Sequence, residues 1–138
     1  VFLAQKLSEK PFTIVGTGNQ TRDFTYVSDI VNAFLKASKS KIINEVFNVG
    51  SGQTISVNKI IKLLDGKKVY IKKRPGEPHC TYADITKIKK KLNWVPKINI
   101  KKGVNILLKD INYWKEAPVW TPKTINKATS LWFKYLGK

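Results

Sequence analysis

The sequence predicts an α/β fold, because short apolar runs alternate with segments in which apolar residues recur at helical spacing. Residues 12–15 and 45–50 are such runs, and each leads into a pair of glycines that marks a turn. A third run, at 69–71, is followed by a turn that contains Arg74. Ligands of open α/β sheets bind beyond the carboxyl ends of the strands, so these turns are candidate sites.

The first half of the chain predicts a helix at 2–9, a strand at 12–15 and a strand or extended loop at 21–27. Ser28 or Asp29 can cap a helix that runs to about residue 38. Its apolar positions have helical spacing and are expected to be buried: Ile30, Val31, Phe34, Leu35 and Ala37. The run at 45–50 is expected to be a strand.

Four further helices are predicted from residues that can cap their amino-terminal ends. These residues are Ser56, Asp84, Asn99 and Thr121. Pro122 stands at the first position of the last helix, where its missing N–H has no cost. The apolar residues of that helix predict a core or interface face.

The net charge of +17 makes nucleic-acid binding an alternative that has to be weighed. The lysines are scattered, and no recognition helix, zinc-finger spacing or aromatic RNA-binding signature accompanies them. A solvated lysine-rich surface is therefore favoured over a nucleic-acid interface. The hydrophobic content of 42% argues against disorder, and no apolar run is long enough to span a bilayer.

The single cysteine, Cys80, excludes an internal disulfide and fits the reducing cytoplasm. It stands beside the only histidine, His79, but no second pair of metal ligands accompanies them. We therefore predict a packing role for Cys80 and no metal site.

Arginine usage points to an anionic ligand. Only Arg22 and Arg74 are arginines among the 26 basic residues, and both lie in or just beyond glycine turns. A guanidinium can grip two oxygens of a phosphate or carboxylate at once, whereas lysine offers only a point charge. We therefore expect both arginines to reach the same anionic ligand.

Six segments occur in an order that resembles the C-terminal part of the extended short-chain dehydrogenase/reductases. They are residues 14–18, 21–29, 47–52, 74–77, 83–87 and 92–96. The pattern is most similar to NAD-dependent nucleotide-sugar epimerases, dehydratases and UDP-glucuronate decarboxylases. The resemblance implies a nucleotide-sugar-binding portion of a Rossmann-like α/β fold at 1–113, with a C-terminal helical extension of the same domain at 114–138.

The resemblance also implies roles for six residues. Arg22 would bind the diphosphate of a nucleotide sugar, Arg74 would reach it from the opposite side, and Glu77 would lie near the ribose. The remaining three are Thr13 and Val15, which would meet the base largely through main-chain groups, and Asn48, which would support the phosphate site or the Arg22 loop. For Asn48, and for Asp23, bracing of the loop is an equally open interpretation.

The family's glycine motif for NAD and its catalytic Tyr-x-x-x-Lys pair have no counterpart in this sequence. We therefore expect the N-terminal, NAD-binding half to be missing, this chain to bind no cofactor and to be inactive alone, and no catalytic residue to lie in it. The resemblance implies that the partner is a nucleotide-diphosphate sugar, foremost a UDP-sugar, and that the complete enzyme is a cytoplasmic homodimer. A basic nucleic-acid-binding module, or a helical interaction domain that docks through Trp114, Trp120 and Trp132, remains an alternative.

Overall fold

The computed structural model describes residues 1–137, and its contacts divide them into two compact units. The first unit comprises residues 1–20, 56–79 and the chain from 104 onward. The second unit comprises residues 21–55 and 80–103. The division into 1–113 and 114–138 that the resemblance implies stays a prediction.

Helices and short strands follow one another along the chain, which confirms the predicted α/β class. In chain order they are α1 (Phe2–Leu7), β1 (Phe12–Val15), β2 (Thr21–Arg22), α2 (Val27–Ser38), β3 (Ile55–Ser56), α3 (Val57–Leu64), β4 (Lys68–Ile71), α4 (Thr86–Leu92), α5 (Ile100–Lys109), a 3-10 helix (Ile111–Trp114), α6 (Pro122–Ala128) and α7 (Ser130–Leu136). β1 pairs in parallel with β4, and β2 pairs with β3.

The first unit is built on the parallel pair β1 and β4. Their register runs from Phe12 opposite Lys68 to Val15 opposite Ile71. The core of this unit consists of buried apolar side chains from β1, α1, α3 and α5: Ala4, Phe12, Ile14, Ile60, Ile61, Leu64 and Val104. Helix α3 starts where the sequence predicts, because the Ser56 Oγ accepts a hydrogen bond from the Lys59 N–H at 3.2 Å.

A buried amide anchors α1 to the first strand. Gln5 is fully buried, and its Nε2 donates to the Thr13 Oγ1 at 3.0 Å and to the Trp120 carbonyl at 2.7 Å. Its Oε1 accepts from the Thr13 N–H at 3.2 Å. Burying an amide without such partners is costly, so these bonds fix α1, β1 and the segment before α6 to one another.

The C-terminal segment forms two helices where the sequence predicts one. Thr121 caps α6 in a reciprocal capping box with Thr124, as its position indicated. The helix ends at Ala128. The next residue, Thr129, donates its hydroxyl to the Ile125 carbonyl at 2.9 Å, a bond that competes with helix continuation. Of the two predicted roles for its apolar residues, core or interface, the core role is wrong for Leu131 and Tyr135, which are exposed in α7.

The second unit packs around a tryptophan. Ala33, Ile88, Leu92 and Trp94 form its core, and partly buried apolar residues cover it: Ile42, Phe47, Val49 and Ile85. The Trp94 Nε1 donates to the Asp29 carbonyl at 3.2 Å, which satisfies the indole N–H in the interior.

Helix α2 differs from its prediction at its start and on its face. It begins at Val27, so neither Ser28 nor Asp29 caps it. Asp29 is buried, and its carboxylate accepts from the Lys97 and Ile98 N–H groups at 3.1 and 2.9 Å. Asp29 and Ala33 lie one turn apart on the buried side of α2. The apolar face that the spacing predicts to be buried is therefore largely exposed, including Val31, Phe34 and Leu35.

The strand predicted at 45–50 is also absent from the described structure. Phe47 and Val49 are half-buried against the second core, but residues 45–49 pair with no neighbouring strand. The segment at 21–27, predicted as a strand or an extended loop, contains the two-residue strand Thr21–Arg22, and residues 23–26 form a loop. Within residues 1–137, the structure contains no helix with both the length and the hydropathy that crossing a membrane requires.

We predict that Asp29→Ala destabilises the second unit strongly. The change removes a carboxylate that satisfies two main-chain N–H groups, and each charge-assisted bond contributes about 1.5–3 kcal/mol. Urea denaturation followed by circular dichroism should show a free energy of unfolding lower by about 3 kcal/mol. Asp110→Ala, which removes an exposed carboxylate with no cap bond, is the matched control. Equal stability of the two variants would contradict this role of Asp29.

Candidate functional site

The glycine turn after β1 is shaped by close contact with α3. Gly16 and Gly18 have φ values of +66° and +76°, in the left-handed region that favours glycine. A Cβ at Gly18 would lie 2.4 Å from the Asn58 Oδ1. The Asn58 N–H donates to the Gly18 carbonyl at 2.9 Å, and its Nδ2 donates to the Thr17 carbonyl at 3.1 Å. The start of α3 therefore holds the turn in place.

A cavity lies in the first unit beyond the carboxyl ends of β1 and β4. Its volume is about 160 Å³, and it brings together two of the residues predicted to bind substrate, Val15 and Glu77. The other lining residues come from the glycine turn and from the segment after β4: Gly16, Thr17, Gln20, Lys73, Pro78 and His79. Its position is the one that the general rule for open α/β sheets predicts for a ligand.

Thr13 lies deeper in the first unit than these lining residues. It is buried in the middle of β1, and both its N–H and its hydroxyl are bonded to Gln5. It is not among the residues that line the cavity. A contact between Thr13 and a base stays a prediction.

The Arg74 guanidinium contacts a carboxylate and an indole ring. Its Nε and Nη2 donate to the two carboxylate oxygens of Glu77 at 3.1 and 3.0 Å. Its guanidinium also lies 5.2 Å from the centre of the Trp132 indole. The side chains of Arg74 and Glu77 are 25% and 17% exposed, so the pair is partly shielded from water. Their spacing of three residues in a turn is a signal that could have indicated this ion pair from the sequence.

Arg22 lies in the second unit, on the short strand β2. Its side chain is half-buried, and its Nη1 donates to the Thr21 carbonyl at 2.7 Å. Arg22 and Arg74 belong to different units, so their contact with the same ligand stays a prediction.

Asp23, the residue after Arg22, gathers main-chain N–H groups from two distant segments. Its carboxylate accepts from Ser51 at 2.6 Å, from Gly52 at 3.2 Å and from Ala83 at 3.3 Å. Burial by itself raises the pKa of Asp23, but hydrogen bonds from Ser51, Ala83 and Gly52 outweigh burial and lower the pKa below its ordinary value. The sequence raised bracing as one interpretation of Asp23, but it did not identify these partners.

The turn that Asp23 holds requires glycine at position 50. A Cβ there would lie 2.4 Å from the Ala83 Cβ and 2.6 Å from the Asp23 Oδ2. Real Cβ atoms do not approach other atoms this closely, so Gly50 allows the two segments to meet at the carboxylate.

Asn48 lies on the rim of an open cleft in the second unit. The cleft has a volume of about 410 Å³ and is lined by Asp23, Phe47, Asn48, Val49, Thr81, Tyr82 and Ala83. The Asn48 side chain is exposed, and its Nδ2 lies 3.5 Å from the Asp84 carbonyl. This long contact connects Asn48 to the segment that Asp23 braces, and its support of a phosphate site stays a prediction.

Part of the positive charge is paired within the second unit. Glu45 accepts from Lys87 and Lys91 of α4 at 2.6 and 2.8 Å. Hydrogen bonds from these two lysines lower the pKa of Glu45 to about 2. The Thr86 hydroxyl and N–H similarly lower the pKa of the Asp84 carboxyl. The densest lysine run in the sequence is therefore partly neutralised by a carboxylate of its own unit.

The predicted packing role of Cys80 is wrong. The thiol is free and exposed, and Cys80 contributes instead through its backbone, which forms a β-bridge with Thr21. His79 lines the cavity of the first unit. Within residues 1–137, no group of three or more His, Cys, Asp or Glu side chains could hold a metal ion.

Comparison with known proteins identifies the family to which the chain is similar. A family model described as GDP-mannose 4,6 dehydratase matches residues 2–107. The chain is 40% identical over 122 residues to a UDP-glucuronate 4-epimerase of Thermodesulfobacterium geofontis, which corresponds to 83% of this chain and 36% of that protein. It is 32% identical over 115 residues to UDP-glucuronic acid decarboxylase 2 of Arabidopsis thaliana, covering 79% of this chain and 26% of that protein.

Solved structures of similar proteins share the fold. The UDP-glucuronic acid 4-epimerase of Bacillus cereus, in complex with UDP-glucuronic acid and NAD, matches with a TM-score of 0.75 and 36% identity over 80% of this chain and 38% of its own. The UDP-glucose 4-epimerase of Thermotoga maritima, with UDP-glucose, matches with a TM-score of 0.76 and 35% identity over 83% of this chain and 39% of its own. These findings confirm the resemblance and the Rossmann-like fold class that the sequence predicts.

We predict that Asp23→Asn destabilises the protein at neutral pH and that the difference shrinks in acid. The asparagine amide has one acceptor oxygen, whereas the carboxylate has two. The NH₂ group of the asparagine would therefore face main-chain N–H donors and leave them without an acceptor. Urea denaturation at pH 7 should show a loss of about 2 kcal/mol in the free energy of unfolding.

The sign of the pH dependence follows from the lowered pKa. A carboxyl whose pKa is lower in the folded state stabilises the fold fully above its unfolded pKa of about 4, and this contribution is lost as the pH falls through the folded pKa. Wild type and variant should therefore converge below pH 4. Asp110→Asn is the control, and a difference that persists unchanged at low pH would contradict the assignment.

Proposed function

Because the chain belongs to the GDP-mannose 4,6 dehydratase family, we propose that it is the part of an NAD-dependent enzyme that binds a nucleotide-diphosphate sugar. The whole enzyme would be an epimerase, dehydratase or decarboxylase that oxidises the sugar transiently at C4. NAD would be bound by a part of the relatives that this chain does not span. In this proposal the chain binds the nucleotide diphosphate, which is remote from the reacting sugar. The binding energy of that group positions the sugar for the reaction.

The observation that carries this proposal is the cavity beyond the carboxyl ends of β1 and β4. Val15 closes β1, and the Gly16 N–H still bonds to the Ile71 carbonyl at 2.8 Å, so the cavity begins where the parallel pair ends. Gly16 and Thr17 of the glycine turn line the cavity, and the base of the nucleotide would lie against them. Glu77 lines the same cavity and offers carboxylate oxygens of the kind that accept hydrogen bonds from ribose hydroxyls.

The proposed diphosphate contacts come from Arg22 and Arg74. Glu77 occupies the Nε and Nη2 edge of Arg74, so an oxygen of the diphosphate would be bound from the Nη1 side. Arg22 would act from β2, where Asp23 fixes the backbone beside it. Asn48 would support that loop, and Thr13 would contribute only through the strand on which Val15 lies.

The relatives make UDP the favoured nucleotide. One solved relative holds UDP-glucuronic acid with NAD, and another holds UDP-glucose. Because this chain spans 38% and 39% of these two proteins, the substrate, the homodimeric state of the complete enzyme and its cytoplasmic location are proposals for the whole protein.

We predict that Arg22→Ala weakens the binding of UDP-glucuronic acid. Loss of a charge-assisted, bidentate contact costs about 2 kcal/mol, which corresponds to about a 30-fold rise in the dissociation constant. Arg22→Lys should fall between the wild type and Arg22→Ala, because lysine keeps the charge and loses the planar fork. Isothermal titration calorimetry measures all three. Lys39→Ala, at an exposed position of the same unit, removes the same charge and should leave the affinity unchanged.

The same experiment separates the proposal from general attraction of anions by a basic protein. Equal weakening by Lys39→Ala and Arg22→Ala would indicate a nonspecific field effect and contradict the assignment. Titration of a duplex DNA over a range of salt concentrations tests the rival function, because nucleic-acid binding falls steeply with salt. Tight, strongly salt-dependent DNA binding without any binding of UDP-glucuronic acid would replace the present proposal.

A further inference from the structure

We infer that Trp132, on helix α7, is a positioning residue that fixes the guanidinium of Arg74 for the diphosphate. The inference rests on the proposed function and deepens it, because it assigns part of the nucleotide-sugar site to a segment outside residues 2–107, to which the family model is confined. Trp132 would act through Arg74 and would not itself touch the ligand.

The indole makes contact with two successive residues of the turn. Its ring centre lies 5.2 Å from the Arg74 guanidinium carbon, within the range of a cation–π interaction. Its Nε1 donates to the Pro75 carbonyl at 2.7 Å, which fixes the ring relative to the backbone of the turn. One side chain of α7 therefore restrains both the charged group and the main chain that carries it.

Neighbouring residues of α7 lie along the same turn. The Lys72 Nζ lies 5.5 Å from the centre of the Phe133 ring. A Cβ at Gly76 would lie 3.8 Å from the Leu136 Cδ1, an ordinary van der Waals separation. Trp132 and Leu136 are one helical turn apart, so one side of α7 follows the segment from Lys72 to Gly76. This continuous contact distinguishes α7 from a helix that meets the turn at a single point.

The arrangement leaves Arg74 with little freedom before a ligand arrives. Glu77 accepts from the Arg74 Nε and Nη2, and the guanidinium lies over the Trp132 ring. An arginine side chain that is ordered in advance loses less conformational entropy when it binds an anion. A stacked guanidinium is also less hydrated than an exposed one, which strengthens its remaining hydrogen bonds. Removal of Trp132 should therefore weaken ligand binding through Arg74.

The test is a double-mutant cycle on Arg74 and Trp132, with binding of UDP-glucuronic acid measured by calorimetry. Trp132→Leu should weaken binding by about 3- to 10-fold, the range expected for a partly shielded cation–π contact. Trp132→Phe keeps a ring face and loses the Nε1 donor, so its affinity should lie closer to that of the wild type. In an Arg74→Ala background, Trp132→Leu should have no further effect. Leu131→Ala, at an exposed neighbour on α7, is the control.

A second readout reports the position of Arg74 without any ligand. In ¹H–¹⁵N NMR spectra, the Arg74 Nε–H resonance, identified by its loss in Arg74→Ala, should be shifted by the indole ring current. Trp132→Leu should abolish this shift, Trp132→Phe should keep part of it, and Leu131→Ala should leave it unchanged. Circular dichroism confirms that each variant folds.

The outcomes separate the two proposals. A wild type that binds no UDP-glucuronic acid overturns the proposed function, and this inference with it. If the wild type binds UDP-glucuronic acid, two results overturn only the role of Trp132. One is an unchanged affinity in Trp132→Leu, and the other is an equal loss of affinity from Trp132→Leu in the wild type and in the Arg74→Ala background. An unchanged Arg74 resonance in Trp132→Leu overturns the stacking itself.

Discussion

The carboxylate of Asp23 is the constraint on which the second unit depends. It accepts main-chain N–H groups from Ser51, Gly52 and Ala83, segments that are far apart in the sequence. Backbone donors in irregular segments need partners when they are shielded from water, and a carboxylate can satisfy several at once. Because Asp23 follows Arg22 directly, the bonds that close the loop also fix the strand that carries the arginine.

In the first unit, other polar groups connect segments that are far apart in the sequence. Its paired strands are β1 and β4, which form a short parallel pair, and two strands alone are marginal in water. The buried Gln5 amide connects α1, β1 and the approach to α6, while α7 lies along the turn after β4. The candidate site residues Arg74 and Glu77 lie in the irregular segment after β4, and Val15 lies at the end of the neighbouring strand β1.

Features that depend on distant partners could not be predicted from the sequence, and features of local chemistry could be predicted only in part. Ser28 and Asp29 do not cap α2, and Asp84 does not cap α4. The caps at Ser56 and Thr121 follow from side-chain oxygens that bond N–H groups three residues on, so their helices begin where expected. The prediction of the buried face of α2 is wrong because the buried position Asp29 is polar, and hydrophobic periodicity does not detect a buried polar residue. The prediction of a strand at 45–50 is wrong because a strand needs a neighbouring strand to pair with, and an apolar run in the sequence does not show whether one is present. The cavity residues Val15 and Glu77 came from family resemblance, whereas the contact of Trp132 with Arg74 spans 58 positions and carries no local signal.

The acidic residues of this chain are few, which leaves it with a net charge of +17. Nine carboxylates face 26 basic side chains, and several of the nine have specific partners: Asp23 and Asp29 hold main-chain N–H groups, Glu45 pairs with two lysines, and Glu77 pairs with Arg74. The excess of positive charge raises the electrostatic potential around the whole molecule. This potential attracts any anion and makes copies of the chain repel one another. Such a field is screened by salt and does not distinguish one anion from another. Selectivity therefore has to come from oriented groups, and an arginine held by a carboxylate and an indole is oriented in a way that an exposed lysine is not.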